Sequence, residues 1–164
     1  MGLWQRLAVG ASLRPVLWTL GLASLLFLGF FNLLGEPVLR NLSGQGMLGS
    51  QLIYTPAQAL EALEAYGPRG REIFRLLVLS DFLFVPIYTL WLAGLAVRLE
   101  RGVLVRLALG LLGADWAENI ALLVLEQNPT VGLAGVAGVL TLLKWVLLAG
   151  VSGGLVFAWR RSRS

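Results

Sequence analysis

The chain has neither cysteine nor histidine among its 164 residues. Without thiols there is no disulfide framework, no thiolate metal centre and no dithiol redox chemistry. Without imidazole it lacks the commonest general base, the commonest metal ligand and the usual switch near neutral pH. Lysine is almost missing as well, since Lys144 is the single example and the remaining basic residues are arginine. Charge of either sign is scarce, at 13% of residues, where a soluble globular domain carries roughly 25%. No Walker motif, nucleophile elbow, zincin signature or Rossmann fingerprint is present, and the halves show no internal repeat. The arginines flank apolar segments instead of forming a basic run interleaved with aromatics, so no nucleic-acid partner is expected. Nothing in the composition asks for a cofactor. Metal binding has weak support in the sequence and no metal ligand is assigned, because hard-cation sites usually gather more oxygens.

What is present is apolar. Hydrophobic residues make up 57% of the chain and the mean hydropathy is +0.79. Four runs, 15–34, 72–97, 103–125 and 131–159, approach or exceed the roughly 20 residues that a bilayer-crossing helix needs. The pattern predicts an all-α polytopic membrane protein, a bundle of four transmembrane helices in a single membrane domain. The first run is too long for a signal-peptide core and no small-x-small cleavage site follows it, so it reads as a retained helix. Pro86 lies within the second run and should kink it, freeing the carbonyl of Phe82. Arg6 and Arg14 precede the first run, Arg98, Arg101 and Arg106 flank the turn between the second and third, and Arg160, Arg161 and Arg163 follow the fourth. The opposite side carries Arg40, Arg69, Arg71 and Arg75. The positive-inside rule then places both termini in the cytoplasm. Arginine in place of lysine, with abundant Leu, Ala and Gly, suggests a GC-rich bacterial genome and so the inner membrane.

Residues 35–71 form the one long segment outside the spans, external in this orientation. Gly35-Glu36-Pro37 through Gly49 is rich in turn formers. Thr55-Pro56-Ala57-Gln58 reads as an N-cap, a first-turn proline and a capping-box glutamine, which predicts a short extracytoplasmic helix over 57–66 ended by Gly67-Pro68. Such a helix would lie across the outer mouth of the bundle, as a lid or as a spacer. Residues 1–14, with Leu3, Trp4 and Leu7, read as a cytoplasmic interfacial anchor, and 160–164 as a cytoplasmic tail.

The informative residues are the ionisable ones inside the spans: Asp81, Asp115, Glu118 and Lys144. Each costs several kcal/mol in hydrocarbon unless it faces a partner or a wet cavity. Helical spacing puts Asp81 and Tyr88 on one face of the second span, Asp115, Glu118 and Asn119 on one stripe of the third, and Thr141 and Lys144 one turn apart on the fourth. Counted at about 1.5 Å per residue, all four ionisable groups fall between the midplane and the outer leaflet. Three carboxylates against one ammonium leave negative charge uncompensated, so a proton or a cation is expected among them, with Lys144 pairing to Asp81 or Asp115. Glycines 132, 135, 138, 150 and 154 in the fourth span, and Gly110 with Ala114 in the third, signal close helix packing or a dimer seam.

The segments Tyr54-Thr55-Pro56, Tyr66-Gly67-Pro68-Arg69-Gly70-Arg71, Asp81 through Pro86 with Tyr88, and Asp115-Trp116-Ala117-Glu118-Asn119 share a pattern. Over residues 54–120 the chain resembles a group of small four-span bacterial membrane proteins of unassigned function with a recurring Asp-x-x-Glu-Asn segment. The resemblance implies the architecture and no activity. Vitamin K epoxide reductases, disulfide oxidoreductase partners and claudin-like proteins are excluded by the missing cysteines. Small multidrug transporters carry their glutamate in the first helix, whose interior here has no ionisable residue.

The leading expectation is an intramembrane site for a membrane lipid or lipophilic, amphipathic small molecule. If it is catalytic, Asp115 and Glu118 would divide acid and base roles, with Asp81 and Lys144 in the same site. Asn119 and Tyr88 would position or donate hydrogen bonds, and Trp116 and Thr141 would line the site. One alternative is a proton- or cation-coupled small transporter working as a homodimer. A second is a structural or assembly protein whose polar groups only fix helix register.

Overall fold

The computed structural model describes residues 2–163. They form an all-helical bundle of six α-helices: α1 (Leu3–Ala11), α2 (Arg14–Phe30), α3 (Glu36–Ser43), α4 (Pro56–Arg98), α5 (Gly102–Gln127) and α6 (Val131–Arg161). Four helical stretches, Arg14–Ser43, Pro56–Arg98, Gly102–Gln127 and Val131–Arg161, are long and apolar enough to cross a membrane.

The first of these runs further than expected. Gly35-Glu36-Pro37 reads as the start of a loop, yet the chain passes from α2 through a π-helical turn, Phe31–Gly35, directly into α3. Proline lacks an N–H and crowds the carbonyl four residues earlier. The widened turn immediately before Pro37 accommodates both problems and lets the helix continue. It stops at Gly44, whose left-handed φ of 72° suits a residue without Cβ.

Helical turns do cover 57–66, capped by Thr55, whose hydroxyl accepts from Gln58 N while Gln58 bonds back to Thr55 N at 2.8 Å. They end at Gly67, where φ is 57° and ψ is −173°, and α4 continues beyond that kink. What folds back into the bundle is the irregular stretch 45–55. It contains a short 3₁₀ turn, Leu48–Ser50, and buries Met47, Leu48, Gly49 and Tyr54. Glu36 fixes it, accepting from Met47 N at 2.8 Å while pairing with Arg40 at 2.9 Å.

Residues 2–14 also pack against the bundle. Ala8 and Ala11 are buried, and the Trp4 indole donates to the Val105 carbonyl at 3.3 Å. Gly94 makes room on α4 for the Ala11 backbone, where a Cβ would sit 2.7 Å from the Ala11 oxygen. Of the glycines expected to mark packing faces, Gly138 takes the Tyr54 backbone and Gly154 takes Leu104, whereas Gly132 and Gly150 face open space.

Helices α4, α5 and α6 pack closely on one another, and α2 packs on α4. The buried apolar residues fall into two clusters. One, at the end holding residues 45–66, includes Leu48, Tyr54, Leu63, Phe74, Leu122 and Ala137; the other, at the end holding α1, includes Leu92, Ala96, Leu104, Leu111, Val151 and Leu155. Between them, on all three helices, lies a polar layer: Asp81 and Tyr88 on α4, Asp115, Glu118 and Asn119 on α5, Thr141 and Lys144 on α6.

Candidate functional site

The stripe on α5 and the facing turn of α6 build the core of this layer. Lys144 Nζ lies 2.5 Å from Glu118 Oε2 and 3.7 Å from Asp115 Oδ1, and it donates to the Gly49 carbonyl at 2.9 Å. The close partner is therefore Glu118. The expected pairing with Asp81 or Asp115 is realised only as the longer Asp115 contact. Geometry explains this: Asp115 and Glu118 sit one turn apart on the helix against which α6 packs most closely, while Asp81 belongs to α4. Asp81 instead accepts from Asn119 Nδ2 at 2.8 Å.

Glu118 is fully buried, and its second oxygen accepts from the Thr141 hydroxyl at 2.6 Å. Thr141 Oγ1 in turn lies 3.0 Å from Tyr54 Oη. With the Thr141 hydrogen directed at Glu118, the Tyr54 phenol is the donor in this contact, and burial holds that phenol above the ordinary tyrosine range. A hydroxyl relay thus runs from the irregular 45–55 stretch to Glu118. Trp145 reinforces the same contact by donating to the Gln51 carbonyl at 3.1 Å.

Asp115 is treated differently. Its Oδ2 accepts from Tyr88 Oη at 2.5 Å, while Oδ1, in a residue 3% exposed, lies 3.7 Å from the Lys144 ammonium. Tyr88 is positioned by a row of rings, with Phe27 stacked on Phe84 at 5.5 Å and Phe84 tilted against Tyr88 at 4.9 Å.

Asp81, Asp115, Asn119, Tyr88 and Lys144 face a cavity of about 530 Å³. Its other walls come from α2 (Ser24, Leu28), from the π-helical turn (Phe31, Asn32), from α3 and the irregular stretch (Glu36, Arg40, Met47, Gly49, Ser50), and from Phe84, Trp91, Leu92, Trp145, Leu148 and Ser152. Helix α2 packs far more closely on α4 than on α6, although both α2 and α6 contribute to the walls. The cavity consequently lies in a crevice between those two helices. Its polar wall sits at mid-height, with mostly apolar side chains below it and Arg40 and Glu36 at the opposite end.

Three residues stand apart from the cavity. Glu118 and Thr141 are sealed behind Lys144 and do not line it. Trp116 is 39% exposed on the outside of the bundle, and its indole donates to the Phe82 carbonyl at 3.4 Å. That is the carbonyl left without an N–H by Pro86, so Trp116 repairs the proline site.

Sequence reasoning missed Tyr54, Gly49, Trp145 and Trp91, and also Glu126. Glu126 is buried beside α4 and takes a forked pair from Arg75, with Nη2 at 2.9 and 3.0 Å and Nε at 3.3 Å. Arg71 donates to the Leu63 and Glu126 carbonyls at 3.0 and 3.3 Å. Both arginines hold helix ends together. Among the described residues no cluster of three or more potential ligands has metal-binding geometry. The chain matches no protein-family model, no curated protein and no solved structure, so the functional reading rests on this geometry.

Proposed function

We propose that the protein is a multi-pass membrane protein that binds an amphipathic small molecule, admitted sideways from the bilayer between α2 and α6. The observation that carries this reading is the shape of the 530 Å³ cavity: apolar along most of its length, polar at one level, and bounded by two helices, α2 and α6, that have at most slight contact with each other. A charged wall costs several kcal/mol per group in hydrocarbon, and a cavity for a polar head group offsets that cost. Acid/base work on a bound molecule falls to Asp81 and Asp115 in this proposal. The pairing of Asp115 with Glu118 fits less well, because Glu118 has no face on the cavity.

The arginine distribution orients the chain in a bacterial inner membrane with both termini cytoplasmic and Arg40 toward the outside. Because the natural chain is free of cysteine, single replacements test this directly. Gln45→Cys should react with an impermeant maleimide added outside cells and Ser162→Cys should not; the reverse would invert the topology.

The binding reading is tested by filling the cavity. Wild-type protein purified in maltoside micelles should retain an amphiphile detectable by native mass spectrometry. Leu148→Trp should lose it while keeping a monodisperse elution profile. Retention by both proteins, or by neither, counts against the cavity as the binding site.

A further inference from the structure

We infer that the head group received by this cavity is cationic, an ammonium or quaternary ammonium carried on an apolar chain. The inference rests on the reading above that the cavity takes an amphiphile, and names the chemistry of its polar end.

The first argument is a census of donors. Lys144 is committed to Glu118 and to the Gly49 carbonyl. The Asn119 amide points at Asp81, the Tyr88 hydroxyl at Asp115 and the Trp145 indole at the Gln51 carbonyl. Arg40, at the far end, is paired with Glu36 at 2.9 Å. Each of these donors is thus turned onto an acid or a backbone carbonyl. On the cavity face the Asp81 and Asp115 carboxylates remain as acceptors, and a cationic head group would meet them directly.

The second argument is charge. One ammonium stands among three carboxylates, Asp81, Asp115 and Glu118, and no arginine reaches the group. An anionic head would add to the surplus, and a neutral one would leave it as it is. A cation removes it, with attraction strengthened by the low dielectric of the site.

The third argument is the rest of the wall. Phe31, Phe84, Tyr88, Trp91 and Trp145 surround the same space. Aromatic faces are the usual lining for an alkylammonium group, and the interaction is strongest when the cation is desolvated.

The test uses three photoactivatable C16 probes with a mid-chain diazirine, identical except for the head: trimethylammonium, hydroxyl or carboxylate. Full-length protein in uncharged maltoside micelles is labelled with each. Incorporation at the cavity residues Leu28 and Leu148 is read by mass spectrometry against the outward-facing Val139 and Val146. The ammonium probe should label the cavity about ten-fold more than either other probe. Asp81→Asn or Asp115→Asn should each remove most of that preference, whereas Glu126→Gln should leave it intact. The comparison of probes on wild-type protein stands even if an amide variant does not fold. Equal cavity labelling by all three probes overturns the cationic head, as protons would then be meeting the surplus, and leaves the amphiphile reading standing. Preference for the carboxylate also overturns it and moves head-group binding to Arg40. Labelling confined to outward positions with every probe overturns both readings.

Discussion

The molecule contains two buried ion-pair centres built on opposite plans. At the end of α5, Glu126 receives a three-contact fork from Arg75, with Arg71 donating to nearby carbonyls. Acid and base are matched there one to one, the guanidinium is half exposed, and the side chains join a kinked α4 to the last turn of α5. In the middle of the bundle, Lys144 is the only cation among three acids, the pair with Glu118 is sealed, and a cavity adjoins the surplus. A matched pair at a helix end needs no role beyond holding two elements together. An unmatched group beside an open volume is stable only if something else supplies charge or protons, and that is where the proposed ligand would act.

The largest expected effect breaks the central pair. Lys144→Met leaves Glu118 ionised with no cation and no solvent, and removing one partner of a buried pair costs about 3–5 kcal/mol. Thermal unfolding in micelles should show a large fall in midpoint, or no folded protein at all. The double variant Lys144→Met/Glu118→Gln should regain most of the loss, because the amide can still accept from Thr141. If the single and double variants unfold alike, the 2.5 Å contact is not what makes Lys144 necessary.

The matched pair sharpens the comparison at smaller magnitude. Glu126→Gln keeps a side chain that can accept from Arg75 and gives up the charge, beside a guanidinium that already reaches water. Its unfolding midpoint should fall by less than that of Lys144→Met, and cavity labelling should match wild type. A change in labelling would mean that the two centres are coupled, and the contrast between staple and site would no longer hold.

Much of this was legible in the sequence because membrane burial makes ionisable residues conspicuous. Asp81, Asp115, Glu118 and Lys144 stood out by context alone, and helical spacing put Asp115, Glu118 and Asn119 on one stripe. Their pairing was not legible. It depends on which faces of α5 and α6 meet, and that is set by small residues such as Ala114, Ala121 and Ala137 at the contacts. The continuation of the first long helix through Gly35-Glu36-Pro37 was hidden because a π turn leaves no compositional mark. The role of residues 45–55 was hidden too, since Gly49 and Gln51 act through backbone carbonyls, which every residue possesses. Glu126 falls just past the third apolar run, 103–125, where composition marks only a turn. The arginines at the same end, Arg71 and Arg75, were the available signal.

Trp116 separates a repair from a site at the finest scale. It sits in the sequence between Asp115 and Glu118, yet its ring is on the outer surface and its N–H goes to the Phe82 carbonyl freed by Pro86. Trp116→Phe removes that donor and keeps most of the ring, so the loss should be near 0.6 kcal/mol, the average for an interhelical hydrogen bond in a bilayer. If Pro86 is what makes the donor necessary, Pro86→Ala should restore the backbone N–H to Phe82 and make the same Trp116→Phe change nearly neutral in a double-mutant cycle. Labelling of the cavity by the ammonium probe should be untouched throughout. Should Trp116→Phe instead abolish labelling without lowering the unfolding midpoint, the indole belongs to the ligand's path, and the portal must be sought on the α4–α5 face instead of between α2 and α6.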